Sequence, residues 1–299
     1  GGSFMLVQLA NGTAEVIDMR EVAPAAATED MYVGEPQASI NGGLAVAVPM
    51  QLKGLRLAWE RHGSLPWARL FRDAIAFAGG FPAHPHLVDQ ITTAVPHMAE
   101  YPELASIFLT DGRVPLVGET CCANLALKRT LEAVAEQGPS AVYSGDTVAA
   151  LARDIQAAGG IVTVDDLVRA EPRVVAPVEV EVMGHVFRGV PPPSSGGVTL
   201  MSVLQQLAAD GLPQTGAGSL GPHRLVEAMK HAFAMRMGLG DPGTPEQPFW
   251  DDTQIMADML SLEFNADLAA LTNDSRVLDS VAYGGVHNQL QGAHPEDHG

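Results

Sequence analysis

Arg20 is the residue whose type and position most directly suggest chemistry. In the string "IDMREVAPAA" it stands where an alternating apolar pattern ends. Ile17 and Met19 are expected on the buried side of a strand, and Asp18 and Arg20 on its other side. A planar guanidinium binds a carboxylate through two parallel charge-assisted hydrogen bonds. Arg20 therefore either forms an ion pair with Asp18 or Glu21 or binds the carboxylate of a ligand, and the residues alone favour the ion pair.

Several widespread catalytic and metal-binding motifs are missing from the sequence. The chain has no G-x-S-x-G, no G-x-x-x-x-G-K-[ST] and no H-E-x-x-H. His84-Pro85-His86 has no nearby carboxylate pattern, so we expect it to begin a solvated helix and to bind no metal. The adjacent Cys121 and Cys122 are expected to be reduced thiols, because a disulfide between neighbours strains the peptide between them. The sequence predicts no metal and no cofactor.

The string "PPPSSGG", residues 191–197, precedes a helical pattern. Three consecutive prolines predict an extended polyproline segment. Ser194 or Ser195 is expected to cap the helix that follows, since serine is a favoured N-cap residue. Amides exposed at the start of that helix could instead bind an anion, but we prefer the capping role.

The elements that would position these residues begin as strands and continue mainly as helices. A hairpin is predicted over residues 4–20 around the turn signal Asn11-Gly12, a buried strand over residues 42–49, and a second hairpin turning at Gly184. Helical periodicity covers residues 51–63, 65–81, 86–100, 123–138, 146–160, 198–211, 223–238 and a pair around 252–271. This order lacks strict βαβ alternation and therefore indicates an α+β fold.

Charge and hydropathy exclude two classes of partner. The 299 residues carry 35 acidic and 17 basic side chains, a net charge of −18, and no basic run of four residues. Such a surface repels phosphate backbones and anionic lipid heads, so we expect neither nucleic-acid binding nor membrane contact by this segment. The longest apolar runs are also far shorter than the roughly 20 residues of a membrane-spanning helix.

Several strings, taken in order, resemble the large subunit of the γ-glutamyltransferases, also called glutathione hydrolases. They include "GGSFMLVQ", "IDMREVAPAAATEDMY", "ANLALKRTLEAVAEQGPSAVYSG", "PPPSSGG" and "EAMKHAFAMR". The resemblance implies an α+β N-terminal-nucleophile hydrolase fold, a four-layer αββα sandwich. It also implies that the nucleophile is the threonine that begins a small subunit cut from the same precursor. Finally, it implies that Arg20 holds the α-carboxylate of a γ-glutamyl substrate such as glutathione.

The resemblance further predicts how the whole protein is organised. Residues 1–299 would form a single domain, the large-subunit part, without its true N-terminus and without the small subunit. Gly299 would be the autocleavage position and the next residue the threonine, because glycine allows the strained backbone that an adjacent hydroxyl attacks. No catalytic residue would then lie in this chain. An extracytoplasmic location is expected, through a signal or anchor that precedes this segment.

Two other functions stay open at this point. A related acylase would act on glutaryl-β-lactams or poly-γ-glutamate, and a non-catalytic scaffold relative would lack the downstream threonine. The chain also departs from the family pattern in two places. Met50 stands where the family usually has glycine, and Gly118-Glu119-Thr120-Cys121 stands where it usually has "GDTL". These departures affect loop details and leave the fold expectation unchanged.

Overall fold

The chain forms two compact units. The computed structural model describes residues 1–98, 100–211, 218, 220–243 and 249–288. One unit comprises Gly1–Ser3 and Asp18–Arg173, and the other comprises Phe4–Ile17 and Val174–Gly299. Nothing in this division tests the expectation of a single domain over residues 1–299, which stays a prediction.

The first predicted hairpin is confirmed. Strands β1 (Phe4–Gln8) and β2 (Ala14–Asp18) are neighbours in a three-stranded sheet of order β1-β2-β5, in which β5 is Arg173–Val175. Gly12 adopts a φ of 88°, a left-handed conformation that costs glycine little because it has no Cβ. The local turn signal therefore correctly located the connection between the two strands.

The second predicted hairpin is also confirmed. Strand β6 (Val178–Val182) pairs antiparallel with β7 (His185–Gly189), with Val182 opposite His185. Met183 and Gly184 form the two-residue turn with φ angles of 52° and 76°. Two successive positive φ values are those of a type I′ turn, whose twist matches that of the flanking strands.

The first unit is mainly helical. Its helices are α1 (Gln51–His62), α2 (Arg72–Ala78), α3 (Pro85–Met98), α4 (Pro102–Phe108), α5 (Leu125–Gln137), α6 (Ser140–Tyr143), α7 (Gly145–Ala157) and α8 (Val164–Arg169). The short strands β3 (Phe81–Pro82) and β4 (Thr120–Cys121) pair antiparallel. A core cluster of Val48, Tyr143, Val148, Val162 and Leu167 lies mainly between α6, α7 and α8. Helices α1, α3, α5 and α7 closely match the ranges predicted from apolar periodicity, α2 is shorter than its predicted range of 65–81, and the short helices α4, α6 and α8 were not predicted.

The buried strand predicted over residues 42–49 is wrong. Gly43–Ala45 is a single 3₁₀ turn, and Val48 makes only an isolated bridge to Val22. Gly43, which is buried, is held by a close backbone contact instead of by a sheet. The amide of Gly43 donates to the carbonyl of Ala158 at 3.0 Å, and a Cβ on Gly43 would lie 2.5 Å from the nitrogen of Gly160. Only glycine fits there.

Among the described residues, the second unit has four helices beside its strands. They are α9 (Gly196–Ala209), α10 (Leu220–Arg236), α11 (Thr253–Leu260) and α12 (Leu262–Leu271). Helix α9 contacts the other three helices and the β6–β7 hairpin, and its residues Val198, Met201 and Ser202 are buried. None of the helices in the described part of the chain is both long enough and apolar enough to cross a lipid bilayer.

Candidate functional site

Arg20 lies just beyond the end of strand β2 and points its charge toward solvent. Its side chain is 48% exposed. Its backbone amide donates a hydrogen bond to Oδ1 of Asp18 at 3.1 Å, which fixes the main chain at this point. The guanidinium is therefore exposed on a backbone that is held in place.

The expected ion pair between Arg20 and Asp18 is not formed. Asp18 is only 5% exposed, whereas Arg20, predicted on the same side of the strand, is exposed. Its Oδ2 accepts a hydrogen bond from Nη2 of Arg173 at 2.6 Å. Arg173 begins strand β5, the sheet neighbour of β2, and its side chain neutralises the carboxylate. Asp18 therefore accepts a hydrogen bond from the backbone amide of Arg20, but its ion pair is with the guanidinium of Arg173.

Glu21 is the remaining partner within the chain. Among the described residues it holds the one carboxylate within ion-pair distance of Arg20, with Nε and Oε1 4.0 Å apart. At 4.0 Å the two groups make no hydrogen bond. The Glu21 side chain is also 38% exposed, and exposed pairs of this kind contribute about 0–1 kcal/mol. A ligand carboxylate can therefore compete with Glu21 for the guanidinium.

The string "PPPSSGG" differs from its predicted conformation. Residues 191–194 form a turn closed by a hydrogen bond from the amide of Ser194 to the carbonyl of Pro191, not an extended segment. Ser195 is the N-cap residue of α9, but its hydroxyl makes no capping bond. That hydroxyl instead accepts a hydrogen bond from Nε of Arg236 at 2.8 Å. The predicted serine cap is therefore wrong, because a distant arginine uses the hydroxyl.

The remaining candidates are the His84-Pro85-His86 string, the two cysteines and Gly299. No group of three or more His, Cys, Asp and Glu side chains there is arranged to hold a metal ion. Helix α3 begins at Pro85, inside the His84-Pro85-His86 string, as predicted. Cys121 and Cys122 are free thiols, which confirms the expectation for this pair. Gly299, the predicted autocleavage residue, lies outside the described residues and stays a prediction.

Sequence reasoning missed a buried polar cluster in the second unit, which we call the Glu227 cluster: Glu227, Lys230, His231 and Tyr283. Glu227 is fully buried and accepts hydrogen bonds from Lys230 Nζ at 2.8 Å and from the Tyr283 hydroxyl at 2.7 Å. The only signal for it was a glutamate three residues before a lysine on a predicted helix, a pattern that usually marks an exposed face.

Burial and hydrogen bonding set the charges in the Glu227 cluster. Burial raises the pKa of Glu227, but hydrogen bonds from Lys230 and Tyr283, together with the Lys230 charge, lower it further than burial raises it. Burial also lowers the pKa of His231 to about 4, against a smaller raising effect of Glu227. The imidazole is therefore neutral at pH 7. Lys230 and Tyr283 also line a cavity of about 500 Å³.

Comparison with known proteins shows to which family this chain belongs. Residues 1–299 match the family model described as Gamma-glutamyltranspeptidase. The chain belongs to the γ-glutamyltranspeptidase family. It is 42% identical over 301 residues to glutathione hydrolase 2 of Arabidopsis thaliana, covering all of this chain and 50% of that protein. It is 31% identical over 306 residues to glutathione hydrolase proenzyme 1 of Schizosaccharomyces pombe, covering all of this chain and 47% of that protein.

The fold agrees with this assignment. The crystal structure of Helicobacter pylori γ-glutamyltranspeptidase matches with a TM-score of 0.87 over 98% of this chain and 84% of that chain, at 24% identity. The predicted α+β fold of the N-terminal-nucleophile hydrolases is therefore confirmed. The chain spans about half the length of the curated family members that it matches.

Proposed function

We propose that this chain is the large-subunit part of a γ-glutamyl hydrolase and transferase. The whole enzyme cleaves γ-glutamyl amides such as glutathione and passes the γ-glutamyl group to water or to an amino acid. The small subunit comes from the same precursor. Three facts support the proposal: the family match over residues 1–299, relatives named glutathione hydrolase, and a chain half as long as those relatives.

The observation that carries the proposal is the exposure of the Arg20 side chain and its weak pairing within the chain. Its guanidinium is half exposed, and Glu21, at 4.0 Å, is its only ion-pair partner among the described residues. Asp18, the other nearby carboxylate, is neutralised by Arg173. A γ-glutamyl group carries a free α-carboxylate, which suits the two parallel donors of an arginine. In this proposal Arg20 binds that carboxylate and so fixes the position of the γ-amide.

The charge of the chain explains why a local arginine matters. A net charge of −18 repels an anionic substrate at long range. A single exposed guanidinium creates a short-range attraction that screening by salt weakens little at contact distance. Arg20 thus offsets, at one position, the repulsion from the rest of the surface.

The proposed reaction divides the work between the two subunits. The small-subunit threonine hydroxyl, activated by its own α-amine, attacks the γ-amide carbonyl carbon. The C–N bond breaks, the amine leaves with a proton, and a γ-glutamyl ester of the threonine remains. Water or the amine of an amino acid then attacks the ester and releases the threonine. Arg20 contributes binding and orientation, which place the carbonyl at the nucleophile.

The test is Arg20→Lys in the two-subunit protein made from its full-length precursor. Lysine keeps the charge but cannot form the paired bonds, and a charge-assisted hydrogen bond contributes about 1.5–3 kcal/mol. We therefore expect kcat/KM for γ-glutamyl-4-nitroanilide to fall about 10-fold to 100-fold. Arg169→Lys is the matched control, because Arg169 pairs with Asp165 on the exposed face of α8. Gel electrophoresis should show both subunits in every variant.

Other results would redirect the proposal. An unchanged kcat/KM in Arg20→Lys would assign Arg20 to a structural pair with Glu21. A wild-type protein that cleaves glutaryl amides or poly-γ-glutamate but not γ-glutamyl-4-nitroanilide would favour the related acylase. A protein that forms no second subunit and cleaves none of these substrates would be the scaffold relative.

A further inference from the structure

We propose that Asp18 and Arg173 are positioning residues that keep the guanidinium of Arg20 available to the substrate carboxylate. This inference rests on the proposed function of Arg20. Its starting point is that each oxygen of one buried carboxylate is bound by a different donor. Oδ1 of Asp18 accepts from the backbone amide of Arg20 at 3.1 Å, and Oδ2 accepts from Nη2 of Arg173 at 2.6 Å.

Arg173, and not Arg20, provides the positive charge that pairs with Asp18. A carboxylate that is 5% exposed needs a positive partner, since an unpaired buried charge is costly. Arg20 lies two residues further along the chain and already binds Asp18 through its backbone amide, so its guanidinium could take the place of Arg173 if Arg173 were absent. Because Arg173 neutralises Asp18, the Arg20 side chain is not drawn back onto its own strand. It stays 48% exposed and accessible to a ligand.

The backbone on either side of Arg20 is also fixed. Met19 is fully buried and exchanges two backbone hydrogen bonds with Ser3, at 3.0 and 3.2 Å. Gly54 of helix α1 lies against Met19, and a Cβ on Gly54 would come within 2.1 Å of the Met19 Cβ. A Cβ on Gly2 would lie 2.7 Å from the Cα of Arg20. The base of the arginine is therefore held before any substrate arrives, which lowers the entropy cost of binding.

Asparagine cannot replace Asp18 in this arrangement. Both partners of Asp18 are donors, and an asparagine amide offers only one acceptor oxygen, so its NH₂ group would face a donor. Asp18→Asn therefore loses either the bond from the Arg20 amide or the bond from Arg173. In both cases the orientation of Arg20 is disturbed without removing Arg20 itself.

The test compares two substrates that share an amine leaving group. γ-Glutamyl-4-nitroanilide carries the α-carboxylate, and 4-aminobutyryl-4-nitroanilide lacks it. The ratio of their kcat/KM values in the two-subunit protein measures recognition of the carboxylate, and the inhibition constant of L-glutamate relative to 4-aminobutyrate gives a second readout. We expect Asp18→Asn to lower both preferences about tenfold, mainly through KM. The 4-aminobutyryl substrate should be affected less than about twofold.

Variants of Arg173 and a matched control complete the design. Arg173→Gln should lower the ratio as Asp18→Asn does, and Arg173→Lys should restore part of it because the positive charge returns. Asp165→Asn changes the same residue type in the exposed pair with Arg169, where the atoms are 2.8 Å apart, and should leave the ratio unchanged. If Asp18→Asn does not fold, the two Arg173 variants alone decide the question.

The outcomes separate this inference from the proposed function. A parallel loss on both substrates, or an unchanged ratio in the Arg173 variants, would reduce Asp18 and Arg173 to a structural ion pair and overturn the inference. In that case a low ratio in Arg20→Lys would still support the proposed role of Arg20. A wild-type protein without activity on the γ-glutamyl substrate would overturn the proposed function itself.

Discussion

Tyr283→Phe tests whether the Glu227 cluster holds the second unit together. The hydroxyl of Tyr283 donates to Glu227 Oε2 at 2.7 Å, and it accepts from the amide of Leu278 at 3.0 Å and from Lys230 Nζ at 3.3 Å. The substitution removes only this oxygen and keeps the ring, which contacts His231 edge-on at 5.0 Å between centroids. Any effect therefore reports on the hydrogen bonds and not on ring packing.

The magnitude follows from the burial of the two partners. Tyr283 is 7% exposed and Glu227 is fully buried, so Glu227 loses a hydrogen bond that water cannot easily replace. A hydrogen bond to a charged group contributes about 1.5–3 kcal/mol. Leu278 and Lys230 line the neighbouring cavity, and water there can bind their N–H groups, so these two further losses add little. We expect a total loss of about 2 kcal/mol.

Hydrogen exchange measured peptide by peptide is a suitable assay, because it reports on helix α10 locally. A loss of about 2 kcal/mol corresponds to about 30-fold faster exchange of the protected amides of this helix. Tyr101→Phe is the control, since Tyr101 is 45% exposed. Equal exchange of α10 in the two variants at pH 7 would refute the reasoning.

The pH dependence gives a second check on the same variant. The pKa of Glu227 lies below its usual value, so its contribution to stability is present above about pH 4.3 and is lost as the pH falls through the lowered pKa. Tyr283→Phe removes one cause of that lowering. Its effect on exchange, relative to wild type, should therefore be largest near neutral pH and shrink below about pH 4. An effect that grows as the pH falls would contradict this sign.

Two further predictions concern buried polar side chains of the second unit. The pKa of His231 is lowered to about 4, so the unfolded chain alone takes up a proton as the pH falls from about 6.5 to 4, and stability is lost across that range. His231→Asn can still accept a hydrogen bond from the amide of Gly284. The free energy of unfolding, measured in urea, should therefore fall less with decreasing pH in this variant than in wild type. Parallel pH profiles of the two proteins would contradict the prediction. Asn265, also fully buried, donates to the carbonyls of Met259 and Ser261 at 3.0 and 2.8 Å. Asn265→Leu should lower the free energy of unfolding by about 3–5 kcal/mol in the same assay. The control Asn41→Leu, at an exposed position, should lower it by less than about 0.5 kcal/mol. Equal unfolding midpoints of the two variants would contradict this prediction.

The sequence predicted those elements whose determinants are local. Both hairpins were located from their turn residues, because Gly12 and Gly184 adopt the positive φ angles that the turns require. Most of the longer helices followed from apolar spacing, since a buried stripe defines them. In each of these cases the information lies within a few residues of the element itself. Helix α4, which buries no residue, gave no such signal and was not predicted.

The errors have a common physical cause in distant contacts. The apolar run at residues 42–49 looked like a strand, yet Gly43 is bound by Ala158. The hydroxyl of Ser195 looked like a cap, yet it accepts from Arg236. Neither partner lies near its residue in sequence, so no local pattern could indicate it. A local rule fails when tertiary contacts offer the same group a better partner.

The role of Arg20 could be inferred only from the sequence and the tertiary contacts together. The sequence pattern singled out the residue and the resemblance gave it a substrate, but sequence alone left its charge either paired with Asp18 or Glu21 or open to a ligand. The partner that decides between them, Arg173, is 155 residues from Asp18 along the chain. In the proposed arrangement, the availability of Arg20 depends on Arg173 because Arg173 pairs with the buried carboxylate of Asp18. A substitution at Arg173 should therefore alter substrate recognition even though Arg20 is unchanged.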